Sequence, residues 1–113
     1  MKTTSFEKPE EIVIGNHLGQ PQYTINFNIE KKETEDMPTY SFHTVTLPPG
    51  QWNYGVIVSA LVEEVFPSDK MDAIVNNYLW QPEDEEIKAE FQEMQQWRIQ
   101  AKEIATRLLN TTA

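Results

Sequence analysis

A chain of 113 residues, 39% hydrophobic and 11% aromatic, is long enough to close one core and too rich in aromatic side chains to stay disordered. It contains no cysteine, which excludes disulfides, thiolate zinc sites and thiol nucleophiles, and no run of about 18 apolar residues that could cross a membrane. Eighteen acidic against nine basic residues leave a formal net charge of −9, a field that repels a phosphate backbone and speaks against direct nucleic-acid binding.

Residues 1–10 are polar, include Pro9 and show no period, so they read as a flexible arm ahead of a single domain over 11–113. The charges and proline near the N-terminus occupy the place where a secretory signal needs an apolar stretch. A soluble protein that remains in the compartment of its synthesis is therefore expected. The β-branched run at 11–14 is a first strand candidate, and the turn-rich stretch around Gly15 and Gly19 follows it. Over 22–30 Tyr23, Ile25, Phe27 and Ile29 alternate with Thr24, Asn26 and Asn28, the period of two that places the four apolar side chains on one face of a strand. Residues 30–39 are charged and read as an exposed connection. A third strand is expected over 40–47, with a shift of phase: Tyr40 and Phe42 share one face, Val45 and Leu47 the other. Either a bulge near His43 and Thr44 restores a single inward face, or both faces are partly covered.

Pro48, Pro49 and Gly50 end the strand region, and the period changes to 3.6. Tyr54, Ile57, Val58, Leu61, Val62 and Val65 form one helical stripe, with Asn53 as N-cap and Trp52 and Ile57 as a hydrophobic staple. Phe66 and Pro67 stop this helix, and Ser68 offers the cap of a second, whose stripe is Met71, Ile74, Val75, Tyr78 and Leu79. Pro82 suits the first position of a third helix running to about Leu109. Its stripe is Ile87, Phe91, Met94, Trp97, Ala101, Ile104, Ala105 and Leu108, with acids crowding the first turn where the helix dipole favours them. Strands over about 11–47 followed by helices over about 53–109 define the expected fold class. It is α+β: a small, mainly antiparallel three-stranded sheet with three helices packed on it. Phe27, Ile57, Leu61, Ile74 and Phe91 are the expected core.

The proline turn at 66–68 has the outline of a helix-turn-helix, but Asp69, Lys70, Asp72, Asn76 and Asn77 give the second helix a net negative charge unsuited to reading bases. It reads instead as an αα-hairpin. The acidic run at 83–86 lacks the loop pattern that wraps a cation. His17 and His43 stand in no recognised catalytic spacing with a serine or aspartate. The four glycines form no phosphate-binding pattern. No catalytic residue, metal or cofactor is expected, and a non-enzymatic protein is.

Two features point to a protein partner. Trp80, at a helix end beside Pro82, is a candidate interface anchor. The stripe of the third helix from Ile87 to Leu108 spans roughly 30 Å, more than a sheet of three short strands and two short helices is expected to cover. Its C-terminal part, Ala101, Ile104, Ala105 and Leu108, is expected to meet a second copy, giving a homo-oligomer, or another protein.

The segment from Asn53 through the proline turn to Leu79, followed by residues 90–105 with Trp97 and Arg98, resembles small uncharacterised proteins encoded in phages and prophages of gut bacteria. The Trp97–Arg98 helix is also loosely similar to the C-terminal part of tail-fibre assembly chaperones. The resemblance covers residues 54 to about 105 and implies a phage structural or assembly accessory, cytoplasmic in a bacterial host or associated with the virion. From the charge comes an alternative expectation, an acidic decoy that occupies the nucleic-acid site of a host protein.

Overall fold

The computed structural model describes residues 2–33 and 37–112. The chain divides into two compact units, residues 1–52 and 53–113. The first is an antiparallel sheet of four strands, β1 (Lys2–Ser5), β2 (Ile12–His17), β3 (Gln20–Lys32) and β4 (Thr39–Thr46), in the order β1-β4-β3-β2. The second holds three helices, α1 (Tyr54–Val65), α2 (Ser68–Trp80) and α3 (Glu85–Thr112). The α+β class with its antiparallel sheet is as expected; the number of strands is four rather than three.

The additional strand lies in the segment read as a flexible arm. Lys2, Thr3, Thr4 and Ser5 pair with His43, Phe42, Ser41 and Tyr40 of β4. They have no apolar alternation because an edge strand this short is held by main-chain bonds to its neighbour rather than by burying its own side chains. β3 is also longer than expected at both ends. Pro21 enters it without loss, because the main-chain groups of odd-numbered β3 residues face away from β2: Pro21 and Tyr23 accept bonds from Gly50 and Leu47 through their carbonyls. At the other end β3 continues to Lys32, so the expected connection over 30–39 is partly strand, and its stretch at 34–36 lies outside the described residues.

β2 and β3 form a hairpin closed by Leu18 and Gly19, both left-handed with φ of 51° and 85°, the requirement of a type I′ turn. Asn16 Oδ1 accepts from the Gly19 N–H at 3.0 Å. The register between β3 and β4 shifts between Phe27 and Glu30, which face His43 and Ser41. The bulge therefore lies on β3, around Asn28, and not on β4 near His43 and Thr44. Asn28 adopts φ 52°, a conformation asparagine tolerates better than most residues. With β4 unbulged its phase shift persists, and both faces are partly covered: Phe42 is buried on one, Leu47 on the other. Asn26 is buried opposite Ile25 and Phe27 without penalty, because its amide donates to the Glu10 carbonyl at 2.7 Å and accepts from Thr44 Oγ1 at 2.9 Å.

In the helical unit α3 packs against α1 and α2. Ile57, Leu61 and Val62 of α1, Ile74 of α2 and Met94 and Trp97 of α3 are buried. Asn53 caps α1, accepting from the Val56 N–H at 3.0 Å. The other two starts differ from expectation. Ser68 is already helical, so Pro67 holds the cap position and supplies no side-chain bond. Pro82 lies in a turn, and Asp84 caps α3 by accepting from the N–H groups of Glu86 and Ile87 at 3.0 and 3.1 Å. A carboxylate there satisfies two otherwise unpaired donors at the positive end of the helix dipole, which proline at the first position cannot do. Trp52 stacks on Tyr23 with ring centroids 4.3 Å apart, a partner invisible to a search for local staples.

Candidate functional site

The surface of the helical unit is set by which side chains α2 turns inward. Ile74 is buried, and one turn later Tyr78 lies flat against Phe91 of α3, centroids 4.2 Å apart and planes 10° from parallel. Trp80, two residues further along, must point away from that contact, since two helical steps turn the side chain by about 200°. It is 86% exposed, and Leu79 beside it is 71% exposed. The sequence stripe included Leu79, but α2 ends at Trp80 and the chain turns at Pro82, so nothing in this unit continues over it. The Gln81 N–H bonds to the Asn77 carbonyl and closes the helix.

An apolar pair displayed in this way has a charged border. Glu83, Asp84, Glu85 and Glu86 follow within the turn and the first residues of α3, all exposed. The stacked Tyr78 and Phe91 rings brace α2 against α3, so the indole is presented from a fixed support. Fixed aromatic anchors lose little conformational freedom on binding, the property that makes tryptophan frequent at the energetic centre of interfaces.

The remaining expected interaction residues are placed differently. Ala101, Ala105 and Leu108 are buried within this chain, and Ile104 is partly buried. They are consequently not a free face for a second copy: the stripe of α3 is used by the molecule's own fold. Of the residues expected at an interface, Trp80 alone is openly displayed. Leu79 was not among them: periodicity placed it on the apolar stripe of α2, and its position in the last turn before a proline was the signal that it would be exposed.

A concavity of the helical unit, about 420 Å³, is lined by Val58, Val62 and Met71 with Glu63, Asp72, Arg98 and Lys102 around them. Charges of both signs mark it as a solvated groove. In the sheet unit Lys2, Asn28, Glu30, Ser41 and His43 surround a hollow of about 250 Å³ beside the bulge. His43 lies over Phe27, centroids 5.4 Å apart. Burial first, and then the Lys2 charge, hold its pKa below the ordinary 6.5. Among the described residues no group of three His, Cys, Asp or Glu could hold a metal ion, and no helix is long and apolar enough to cross a membrane. No protein-family model, curated protein or solved structure matches the chain.

Proposed function

We propose that this protein is a non-enzymatic interaction module that docks a protein partner through Leu79 and Trp80. The observation that carries the reading is an indole almost fully in solvent at the end of a helix braced by ring stacking. An isolated monomer gains nothing from displaying it, whereas burying an exposed tryptophan side chain in a partner's pocket contributes a large share of the energy of an interface. The acidic border at 83–86 sets the partner's chemistry: an apolar pocket rimmed by lysine or arginine, with like-charged surfaces repelled. A phage structural or assembly accessory, in a bacterial cytoplasm or on the virion, is the setting that the resemblance of residues 54–105 favours.

The experiment is affinity capture from an infected or lysogenic host with wild-type protein and with Trp80→Ala and Leu79→Ala variants, the captured proteins being identified by mass spectrometry. A specific partner held by the wild type and lost by Trp80→Ala, with the variant's thermal midpoint unchanged, supports the proposal. Identical capture by the variants overturns it.

A second reading, the acidic decoy for a host nucleic-acid-binding protein, is favoured by the exposure of every carboxylate from Glu83 to Glu93. It predicts the opposite dependence. Capture would then survive Trp80→Ala, weaken steeply with salt, be competed by DNA, and fail on replacing Glu85, Glu86, Glu90 and Glu93 by glutamine.

A further inference from the structure

We infer that β2 is the seam of a symmetric dimer, in which the β2 strands of two copies of this chain pair antiparallel and join their sheets edge to edge. The sheet has two open edges. β1 is protected in the ordinary way, being four residues long and carrying Lys2. β2 has no such protection: it has six residues, no proline, no bulge and no charged side chain, and Val13 and Ile14 are exposed on it.

The absence of charge extends from β2 through the turn and most of β3. From Ile12 to Ile29 there are eighteen consecutive residues without an Asp, Glu, Lys or Arg, in a chain where 24% of residues are charged. The occupant follows from that distribution. Two copies each carrying −9 repel one another, and residues 53–113 hold eleven of the eighteen acids. An approach through β2, within this uncharged stretch, sets no carboxylate against its like on the paired strands. A basic partner would find no complementary charge there, whereas a second copy needs none.

Main-chain geometry makes the strand complementary to itself. The Asn26 N–H donates to the Glu11 carbonyl, and Tyr23 accepts from Leu47 on the opposite side. Even-numbered β3 residues thus bond toward β2. By the alternation of an antiparallel ladder, Val13, Gly15 and His17 direct their main-chain groups to Thr24, Gln22 and Gln20, while those of Ile12, Ile14 and Asn16 point out of the sheet. The three outward residues are centred on Ile14. A two-fold axis there sets Ile14 against Ile14 of the other copy and Ile12 against its Asn16, making about six new main-chain hydrogen bonds. On one face the two Ile14 side chains, each 61% exposed in the single chain, cover one another. On the other, Val13 stands opposite Gly15 of the second copy, where the missing side chain leaves it room.

The test is sedimentation equilibrium of the full chain at rising concentration, with amide exchange followed by NMR and with Ile14→Pro and Ile14→Lys variants. A monomer–dimer equilibrium is expected, with the amides of Ile12, Ile14 and Asn16 becoming protected as dimer forms. Ile14→Pro removes an N–H that the chain's own ladder does not use, so it should be monomeric with an unchanged circular dichroism spectrum. Should the proline variant fail to fold, Ile14→Lys decides, since it sets two cations face to face on an exposed position. A wild type still monomeric at high micromolar concentration overturns the inference. So does a dimer that tolerates Ile14→Lys, or one whose three outward amides exchange freely.

Discussion

The indole nitrogen of Trp97 donates to the main-chain carbonyl of Leu61 at 3.0 Å, a buried bond that ties the middle of α3 to the last turn of α1. The Leu61 carbonyl has a second lone pair and lies within α1, so losing the indole donor does not strand it. Trp97→Phe therefore removes one buried hydrogen bond and part of a ring's volume, and should lower stability by about 1 to 3 kcal/mol. Trp97→Ala should cost about 3 to 5 kcal/mol. A Trp97→Phe denaturant midpoint equal to that of the wild type would show that packing alone, and not the hydrogen bond, positions the ring.

The stack of Tyr78 on Phe91 predicts coupling between α2 and α3. Phe91 is only partly buried, so Phe91→Ala should fall at or below the lower end of the range for a core phenylalanine, about 2 to 3 kcal/mol. A double-mutant cycle with Tyr78→Ala should return an interaction energy of about 0.5 to 1.5 kcal/mol. Additive losses would mean that the rings do not brace the end of α2, and Trp80 would then lack its fixed support.

Leu18 lies in the left-handed region, 92% exposed, at a turn whose other residue is glycine. A leucine there gains nothing from burial and carries the steric cost of its Cβ. Leu18→Asn should stabilise the chain by about 0.5 to 1 kcal/mol. Gly19→Ala should destabilise it by about 1 kcal/mol, although no atom lies within 4 Å of the added Cβ. Thermal unfolding of both variants checks the pair, and a destabilised Leu18→Asn would assign the leucine a contact beyond the isolated chain.

What was legible in the sequence follows the range of the forces involved. Alternation around Ile25 and Phe27, the stripe of Ile57, Leu61 and Ile74, and the Asn53 cap are local patterns, and each is found where it was read. β1 was illegible because its stability comes from Tyr40 to His43, some forty residues away. Of the two readings of the β4 phase shift, partly covered faces hold and a bulge near His43 and Thr44 does not; the bulge on β3 leaves no mark in the β4 pattern. At the candidate site, Trp80 was singled out correctly as exposed. Ala101, Ala105 and Leu108 were not, because periodicity shows that a face is apolar without showing what covers it.

His43 gives the chain a pH dependence that its carboxylates alone do not. Burial and the charge of Lys2, its cross-strand neighbour, disfavour the imidazolium, while Glu30 acts in the opposite direction. The folded state therefore binds the proton less readily than the unfolded chain, so stability rises with pH across the interval between the two values. This contribution is complete above the ordinary value of 6.5 and is lost as pH falls below it toward the depressed folded-state pKa. Urea unfolding midpoints measured from neutral to mildly acidic pH should decline for the wild type, and His43→Gln should flatten the part of the decline nearest neutrality. Lys2→Gln should make that part of the decline smaller and end it at a higher pH, because removing the nearby cation lets the folded imidazole take its proton more easily and brings its pKa closer to the ordinary value. An identical profile for wild type and His43→Gln would remove His43 from the acid response and leave it to the carboxylates.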